Sequence, residues 1–430
     1  MGHVTKEPAR TREQSNAKLK KSKKGCRIIR IPISAIEYEK CQNDCKLFRA
    51  QIDLMYKSHP ELFPQDMCKG YFLHDKVKTK KLECVFRRIS IGSGKQKEVY
   101  KIMPCDICPY MTGSVSEVEK GLLLKGFGVP GWVISYILGK DEMYWERQER
   151  SLGRFSIVGT TVKKGEKLPK DYVCDEKFTW MGKKLVYVAM TSAQECVLGS
   201  SIAMSTTEAD FTVAYGVFAK EARNIAPKFA PKTVNTDGFK STQNAWKNNF
   251  KNIVIVLCFL HSVLSIKKLI KGQYMNFKPL MDKIWQTYRA ENRQDFENSM
   301  EDIYIWTQEN IEHAKVKEKV NKMYNRTFEY AVAYDHEKAH RTSNQVDRQM
   351  NAFDRVIYNR QYFHGHRATS ELKVRAWALL HNFMPYAQRT MKVKNPKLYP
   401  SRAAELNCFA YRQNWLENLF CSASLNGFKC

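Results

Sequence analysis

The sequence has no apolar run long enough to cross a membrane. Its longest nearly apolar segment, residues 253–266, is 14 residues long and contains a histidine, whereas a spanning helix needs roughly 18 to 20 apolar residues. The first residues also lack the apolar core of a secretory signal. We therefore expect a protein without membrane spans that stays in the cytoplasm, where it is made.

The cysteines lack the pattern of a disulfide framework. The 13 cysteines are odd in number and lie without paired spacing between Cys26 and Cys430, which is typical of buried thiols in a reducing compartment. Cys105 and Cys108 form the one C-x-x-C motif. Because a tetrahedral zinc site needs four ligands, zinc at these two cysteines is an open alternative without a second motif to support it.

Acidic residues are few beside the basic ones. The 430 residues include 71 Lys and Arg against 44 Asp and Glu, which gives a formal net charge of +27. This excess favours a polyanionic partner, and nucleic acid is the leading candidate. Since 43% of the residues are hydrophobic and 12% are aromatic, the chain also has enough apolar surface to fold, which excludes global disorder.

Composition and apolar periodicity divide the chain into five regions. Residues 1–30 hold ten Lys or Arg and two Glu, which predicts a flexible basic arm for phosphate contacts, with a solubilising tail as the alternative. Residues 31–112 predict a small mixed domain of short strands joined by loops. Residues 113–165 predict a helix-turn-helix region, residues 166–385 a larger α/β domain, and residues 386–430 a basic C-terminal extension.

The helix-turn-helix prediction depends on turn and cap residues. A first helix ends at Gly126, and a second runs from Pro130 to Gly139. The apolar face of the second helix is expected to hold Val133, Ile134, Ile137 and Leu138. A third segment adds a basic and aromatic surface with Tyr144 and Trp145, and the residues expected to contact DNA are Lys140, Arg147, Arg150 and Arg154. An ordinary helical hairpin is the alternative.

Residues 171–260 predict the element order β-β-β-α-β-α-β, a mixed sheet with helices. Three apolar runs within residues 171–203 predict hairpin-linked strands, and residues 207–225 predict an amphipathic helix. Two further strands are expected, within 233–239 and at 253–260. Strand signals then vanish between about residues 267 and 340, which predicts an inserted helical subdomain, and a serine-capped helix begins at Ser343.

Three aspartates lie where this element order brings strand and helix ends together. Asp175 follows an apolar run, Asp237 precedes a glycine after a strand, and Asp347 lies in the first turn of the last helix. Phosphodiester cleavage uses divalent cations, which two or three carboxylates can hold. Singly, each aspartate is more often a turn or capping residue. The rival acids are Glu176 for the first position, and Asp354 and Glu337 for the third.

Three segments, TVNTDGFKSTQNAWKNNF, IVLCFLHSVLSIKK and TSNQVDRQMNAFDR, carry a family resemblance. Over roughly residues 110–385 the chain resembles the DDE transposases of prokaryotic insertion sequences, in particular the Mutator-like group. The resemblance implies a ribonuclease H-like catalytic domain with an all-helical insertion at about 267–340, between the second and third acids. It also implies a C-x-x-H motif after the second acid and an Asn-x-x-acid helix at the third. The third acid here is aspartate, where this family more often has glutamate.

The resemblance assigns residues and an activity. The acids map onto Asp175, Asp237 and Asp347, and the auxiliary positions onto Cys258, His261 and Asn344. The implied protein binds terminal inverted repeats of double-stranded DNA, cuts with water and joins the freed 3′ hydroxyl to target DNA, using two Mg²⁺ (or Mn²⁺) ions. It would act as a homodimer or larger assembly at the nucleoid. A noncatalytic DNA-binding protein, such as a decayed or domesticated transposase, and an RNA-processing nuclease of the same fold are the alternatives.

Overall fold

The chain has a mixed α/β fold, which confirms the fold class at that level. The structure is a computed structural model that describes residues 27–79, 84–108, 113–390 and 400–426. Most of the predicted basic arm therefore lies outside the described residues. The chain divides into two compact units: the first comprises the described residues up to Glu117, Arg154–Ser156 and those from Tyr411 on, and the second comprises Val118–Gly153 and Ile157–Ala410.

A four-stranded sheet organises the first unit. Its strands are β1 (Ile28–Ile31), β2 (Phe72–Lys78), β3 (Val85–Ile91) and β4 (Glu98–Pro104), in the spatial order β1-β4-β3-β2. β1 runs parallel to β4, and the other neighbours are antiparallel. The alternation of apolar and polar residues along β2 and β3 is the pattern that predicts strands here.

Two helices in this unit correct the prediction that residues 31–112 consist of short strands and loops. α1 (Ala35–Gln42) begins with a capping box, in which the Ser34 hydroxyl accepts from the Glu37 N–H and the Glu37 carboxylate accepts from the Ser34 N–H. α2 (Cys45–Ser58) begins after an aspartate whose carboxylate accepts from two backbone N–H groups. These caps satisfy the first amides of each helix, and they decide the conformation where the apolar pattern is ambiguous.

The C-terminal residues complete the core of the first unit, which corrects their prediction as a purely basic extension. The helix Trp415–Ser422 buries Leu416, Leu419 and Phe420. Beyond it, the Leu425 N–H donates to the carbonyl of Ile28 in β1 at 3.0 Å. Residues from the two ends of the described chain therefore share one core.

Four short helices lead into the sheet of the second unit. They are α3 (Val115–Gly126), α4 (Gly131–Leu138), α5 (Glu142–Leu152) and α6 (Ile157–Thr161). α4 follows Pro130 and ends at Gly139, whose φ of 70° is the left-handed conformation that favours glycine. The turn and cap residues of the sequence thus give the helix ends correctly.

Two side chains of this helical segment lie on the side opposite to the predicted one. Ile137, predicted on the core face of α4, is 61% exposed, and Trp145, predicted on a DNA-facing surface, is 1% exposed. The Trp145 ring packs against α3 because Gly121 has no side chain: a Cβ there would lie 2.2 Å from the ring. The indole is therefore part of the core between α3 and α5.

A five-stranded sheet forms the centre of the second unit. β5 (Asp171–Met181), β6 (Lys184–Ala193) and β7 (Cys196–Ala203) are antiparallel, and β8 (Thr233–Thr236) and β9 (Val254–Leu257) run parallel to β5. The spatial order is β7-β6-β5-β8-β9, with β5 in the middle. The helices α7 (Glu208–Ile225) and α8 (Lys240–Asn249) complete the predicted order β-β-β-α-β-α-β. The residues that α7 buries as predicted are Phe211, Ala214, Tyr215, Phe218 and Ala222.

The region between β9 and residue 340 is helical, as predicted. Its helices are α9 (Phe259–Leu269), α10 (Lys278–Tyr288), α11 (Arg293–Asn310), α12 (Ala314–Tyr324) and α13 (Thr327–Ala331), and they share an apolar core of their own. The strand predicted over residues 253–260 is shorter than expected, because it stops at Leu257 and Cys258 caps α9. Among the described helices, none is both long and apolar enough to span a membrane.

Three helices follow this region. They are α14 (Asn344–Asn359), α15 (Arg367–Phe383) and α16 (Arg402–Asn407). α14 and α15 cover the sheet face opposite to α7, where Val346 and Phe353 of α14 pack with Val173 of β5 and Val188 of β6. The sheet is therefore buried on both faces, and α14 crosses it next to the central strand.

A buried charge cluster joins α3 and α5 to the C-terminal end of α14 and the middle of α15. Lys125 is 1% exposed, its ammonium contacts the carboxylate of Glu146, and it lies 4.0 Å from Oε2 of Glu149. Arg360 binds Glu149 at 2.7 Å, and Lys373 binds Glu146 at 3.0 Å. Three cations thus neutralise two carboxylates, which lets the cluster remain charged away from water.

Candidate metal centre

The central strand delivers Asp175 to the site. Side chains alternate along a strand, so Asp175 shares the α14 face of β5 with Val173, and Glu176 lies on the α7 face. The register of the parallel pair β5–β8 sets Val173 beside Asn235. Two residues further along both chains, the same register sets Asp175 beside Asp237, which directly follows β8. Two of the three predicted acids therefore lie at one edge of the sheet.

Asp347 lies on α14, which packs on the same face of the sheet. The Asp347 N–H donates to the carbonyl of Ser343 at 3.0 Å, as in the first turn of a helix. The sequence predicts Ser343 as a side-chain cap, but its hydroxyl donates to Oδ2 of Asp347 at 2.9 Å instead. Ser343 therefore orients the carboxylate of Asp347, a role that sequence reasoning missed.

α9 delivers His261 one turn after Cys258. The Cys258 sulfur accepts from the Ser343 N–H at 3.1 Å and lies 3.2 Å from the Ser343 hydroxyl. The same hydroxyl lies 3.3 Å from Nδ1 of His261. The C-x-x-H motif thus has a visible local function, which is to hold Ser343, and through it Asp347, against the start of α9.

The three delivered side chains meet. Ligand atoms of Asp175, His261 and Asp347 all lie within 4.8 Å of one another, and among the described residues this is the one group of His, Cys, Asp and Glu side chains with such spacing. Asp237 is not part of this group. Its side chain is exposed and accepts from the Phe239 N–H at 2.8 Å, yet its charge acts on Asp175.

The electrostatics of the group indicate an excess of negative charge. Burial and, to a smaller extent, the charges of Asp237 and Asp347 together raise the pKa of Asp175 to about 7, against the opposing effects of the Glu176 N–H and His261. The hydrogen bond with Cys258, with a smaller contribution from Asp347 and Asp175, raises the pKa of His261 to about 9 against the effect of burial. The carboxylates contribute to both shifts because little solvent screens them here. A cation bound there would relieve this repulsion.

The rival acids lie elsewhere. Glu176 accepts at one oxygen from the Tyr215 hydroxyl at 2.5 Å and the Thr242 hydroxyl at 2.7 Å, on the α7 face of the sheet. Asp354 is paired with Lys177 at 3.2 Å, two turns along α14 from the group. Glu337 is exposed in the turn before α14. The geometry therefore separates all three rivals from the side chains around Asp175.

The cysteine pair in the first unit does not resemble a metal site. Cys105 and Cys108 are both buried, and among the described residues they are not part of a group of three or more side chains spaced to hold a metal ion. Burial raises the pKa of the Cys108 thiol to about 12. The Cys105 sulfur lies 3.4 Å from the carbonyl oxygen of Ile33. The pair packs as small apolar side chains, as buried thiols usually do.

The remaining predicted residues lie outside the group. Asn344 is exposed at the start of α14. On the helical segment before the sheet, Lys140 and Arg147 are exposed, whereas Nε of Arg150 donates to the carbonyl of Glu146 at 3.3 Å. Arg154 is exposed and belongs to the first unit.

The group fits a divalent ion. Three ligands of one ion with bond lengths of ~2.1 Å lie about 3.0–3.6 Å from one another, so side-chain movements of about 1 Å would let all three side chains reach one ion. The group offers carboxylate oxygens and an imidazole nitrogen, which are donor types found in divalent-metal sites. The shifted pKa of Asp175 supplies an independent reason for a cation at this position.

Comparison with known proteins adds no relative. A scan against models of protein families finds no match for the chain, and a search of curated proteins finds none either.

Proposed function

We propose that the chain is a DDE transposase with a ribonuclease H-like catalytic domain. The observation that carries the proposal is the convergence of three distant parts of the sequence, since ligand atoms of Asp175, His261 and Asp347 lie within 4.8 Å of one another. The resemblance to transposases names these same residues. A chance arrangement has no reason to unite the C-x-x-H motif with two of the three aspartates.

The topology around the group supports the ribonuclease H-like part of the proposal. The first acid lies on the central strand, the second directly after the neighbouring parallel strand, and the third on a helix that follows an all-helical region. This is the order of parts that the transposase resemblance implies. Each acid reaches the site from a different element, so the site forms only when the whole domain has folded.

The residues divide the work of DNA cleavage. When bound, two Mg²⁺ or Mn²⁺ ions activate the attacking oxygen and neutralise the leaving one. Asp175, Asp237 and Asp347 hold the ions, and Ser343 fixes the carboxylate of Asp347 through its hydroxyl. Cys258 in turn holds Ser343. This chain of contacts preorganises the third acid, which is the one that comes from a helix rather than from a strand.

Charge supports DNA as the partner. The net charge of +27 favours a phosphate backbone, and the exposed side chains of Lys140 and Arg147 lie on a helical segment suited to gripping a duplex. Affinity for DNA should fall with salt by about 0.9 in log–log slope for each phosphate neutralised. Joining two element ends requires at least a dimer of this chain.

Nicking of supercoiled plasmid tests the proposal. The wild-type chain should nick duplex DNA in Mn²⁺ or Mg²⁺ and not in a chelator, and Asp175→Asn, Asp237→Asn and Asp347→Asn should each abolish nicking. Asp354→Asn is the matched control, because Asp354 lies on the same helix as Asp347 and pairs with Lys177 instead. It should nick as the wild type does.

Three outcomes would contradict the proposal. If the Asp347→Asn variant still nicks DNA, the assignment of the third acid is wrong. If the wild-type chain retards DNA in a gel but never nicks it, the chain is a noncatalytic DNA-binding protein. Cleavage of RNA without cleavage of duplex DNA would identify an RNA-processing nuclease instead.

A further inference from the structure

The hairpin formed by β5 and β6 extends beyond the helix that covers it. Phe178 and Trp180 of β5 are 60% and 44% exposed, although strands in a sheet covered on both faces usually bury their aromatic rings. Across the hairpin, Phe178 pairs with Tyr187 and Trp180 with Leu185. These four side chains point to one face, and we call them the aromatic platform.

The backbone under the aromatic platform is fixed at the end of the hairpin. The opposite face of the hairpin buries Thr179, and the backbone of Phe363 bonds the hairpin end. The Phe363 N–H donates to the Trp180 carbonyl, and the Gly182 N–H donates to the Phe363 carbonyl, both at 3.0 Å. The strand that carries the rings is therefore held in place, so that little backbone freedom would be lost when a ligand stacks on them.

The aromatic platform shares its strand with the candidate metal centre but lies on the other face of the sheet. Phe178 and Trp180 follow Asp175 by three and five residues, or about 10 and 16 Å at ~3.3 Å per residue. Since side chains alternate along a strand, both rings point to the α7 face, whereas Asp175 points to the α14 face. Tyr187 contacts Phe211 at 6.2 Å between ring centroids, and Phe211 contacts Phe239 at the same distance. Phe239 donates its N–H to Asp237. A row of aromatic rings thus leads from one predicted acid to the hairpin end.

Two lysines lie at the turn beside the rings. The turn and the first residue of β6 supply Lys183 and Lys184, both exposed. The Lys177 ammonium also lies 5.7 Å from the centroid of the Phe178 ring, but it is paired with Asp354 at 3.2 Å. Ring faces interleaved with lysines bind single-stranded nucleic acid, because unpaired bases stack on the rings while the backbone meets the charges. Paired bases have no free faces to offer.

We propose that the aromatic platform binds unpaired DNA bases. The inference depends on the proposed function, because it takes DNA as the substrate, and it adds that the bound DNA includes an unpaired stretch. Stacking of bases on Phe178 and Trp180 would hold this stretch against the α7 face of the hairpin.

Binding of oligonucleotides tests this inference without any cleavage. Fluorescence anisotropy in a chelator compares an unpaired oligo-dT of about 12 nucleotides with a blunt duplex. Phe178→Ala and Trp180→Ala should each weaken the unpaired oligonucleotide about tenfold or more and change duplex affinity by less than about twofold. Trp180→Phe retains a ring and should bind as the wild type does.

Phe72→Ala is the matched control, because Phe72 is also an exposed phenylalanine on a strand, at 69% exposure in the first unit. It should leave both affinities unchanged. The inference is overturned if Phe178→Ala and Trp180→Ala leave oligo-dT binding intact, or if they weaken duplex binding equally. Two other results would also overturn it, each with oligo-dT binding unchanged in these variants. Loss of affinity for phosphatidylserine vesicles would assign the rings to a membrane surface. Loss of self-association in sedimentation would assign them to an interface with a second copy of the chain.

The outcome separates from that of the proposed function. The platform variants are read by binding in the absence of divalent ions, whereas the acids are read by nicking in their presence. A chain that binds oligo-dT through the platform but never nicks DNA would retain this inference and lose the transposase assignment. If the chain nicks DNA and the platform variants bind oligo-dT as the wild type does, the transposase assignment is retained and this inference is lost.

Discussion

Replacement of Lys125 by methionine should destabilise the second unit strongly. The substitution keeps the length and apolar stem of a side chain that is 1% exposed, and removes the charge between Glu146 and Glu149. Loss of one partner of a buried ion pair costs about 3–5 kcal/mol. Because Arg360 and Lys373 remain to bind the two carboxylates, we expect the lower end, about 3 kcal/mol, or roughly 150-fold in the unfolding equilibrium.

The pKa of Glu146 reports the combined effect of Lys125 and Lys373, which is an upper bound for Lys125 alone. Burial raises this pKa, but Lys125 and Lys373 outweigh burial and lower it from 4.5 to about 2. A group whose folded pKa is depressed stabilises the fold above its unfolded pKa, and this contribution is lost as the pH falls towards the folded value. The shift corresponds to roughly 3 kcal/mol at pH 7, since the Glu146 side chain is only 18% exposed. More than half of it should be gone by about pH 3.

Urea unfolding followed by circular dichroism measures both quantities. Lys125→Met should lower the free energy of unfolding by about 3 kcal/mol at neutral pH, and the difference from the wild type should narrow as the pH falls from about 5 to 3. Lys120→Met is the control, since Lys120 is exposed on the same helix, and it should cost less than about 0.5 kcal/mol. Equal costs for the two variants, or a difference independent of pH, would refute the reasoning.

Three further predictions concern the site and its support. Ser343→Ala removes the hydroxyl that holds Asp347 and should lower Mn²⁺ affinity about 10- to 100-fold in calorimetric titration. Ser265→Ala is the control and should leave Mn²⁺ affinity unchanged, because the Ser265 hydroxyl bonds only a helix carbonyl. Glu176→Gln keeps an oxygen that can accept from Tyr215 and Thr242 and should retain Mn²⁺ binding, whereas Asp175→Asn should lose it. An equal loss of Mn²⁺ binding in both variants would make Glu176 a ligand. Gly153→Ala would put a Cβ 2.0 Å from the Leu372 carbonyl oxygen and should destabilise the chain by about 1–3 kcal/mol in thermal unfolding, while Gly216→Ala, with its nearest neighbour at 3.2 Å, should be tolerated.

The sequence predicts well what local periodicity determines. The three strands between residues 171 and 203 and the buried face of α7 follow from alternation and helical spacing, and the element order then brings Asp175 close to Asp347. Val346 and Phe353 point to the core for the same reason. Where a long apolar pattern and a cap residue agree, the structure contains the predicted element and refines only its bounds.

Other features depend on contacts that no local pattern encodes. Residues 253–260 read as one strand, but the Cys258 sulfur is held by Ser343, which lies 85 residues later, and the chain turns into a helix there. Trp145 has the spacing of a surface aromatic, yet the absence of a side chain at Gly121 opens a cavity for it in the core. The choice of Asp347 over Asp354 likewise depends on Lys177, a residue of another element.

The sharing of one core by β1 and the helix Trp415–Ser422 has a consequence for biosynthesis. A ribosome makes proteins from the N-terminus, so β1 emerges long before its packing partner has been translated. The second unit is synthesised in between and has all its strands available first. Nascent chains should therefore carry the apolar side of β1 uncovered through most of translation, as a natural target for chaperones.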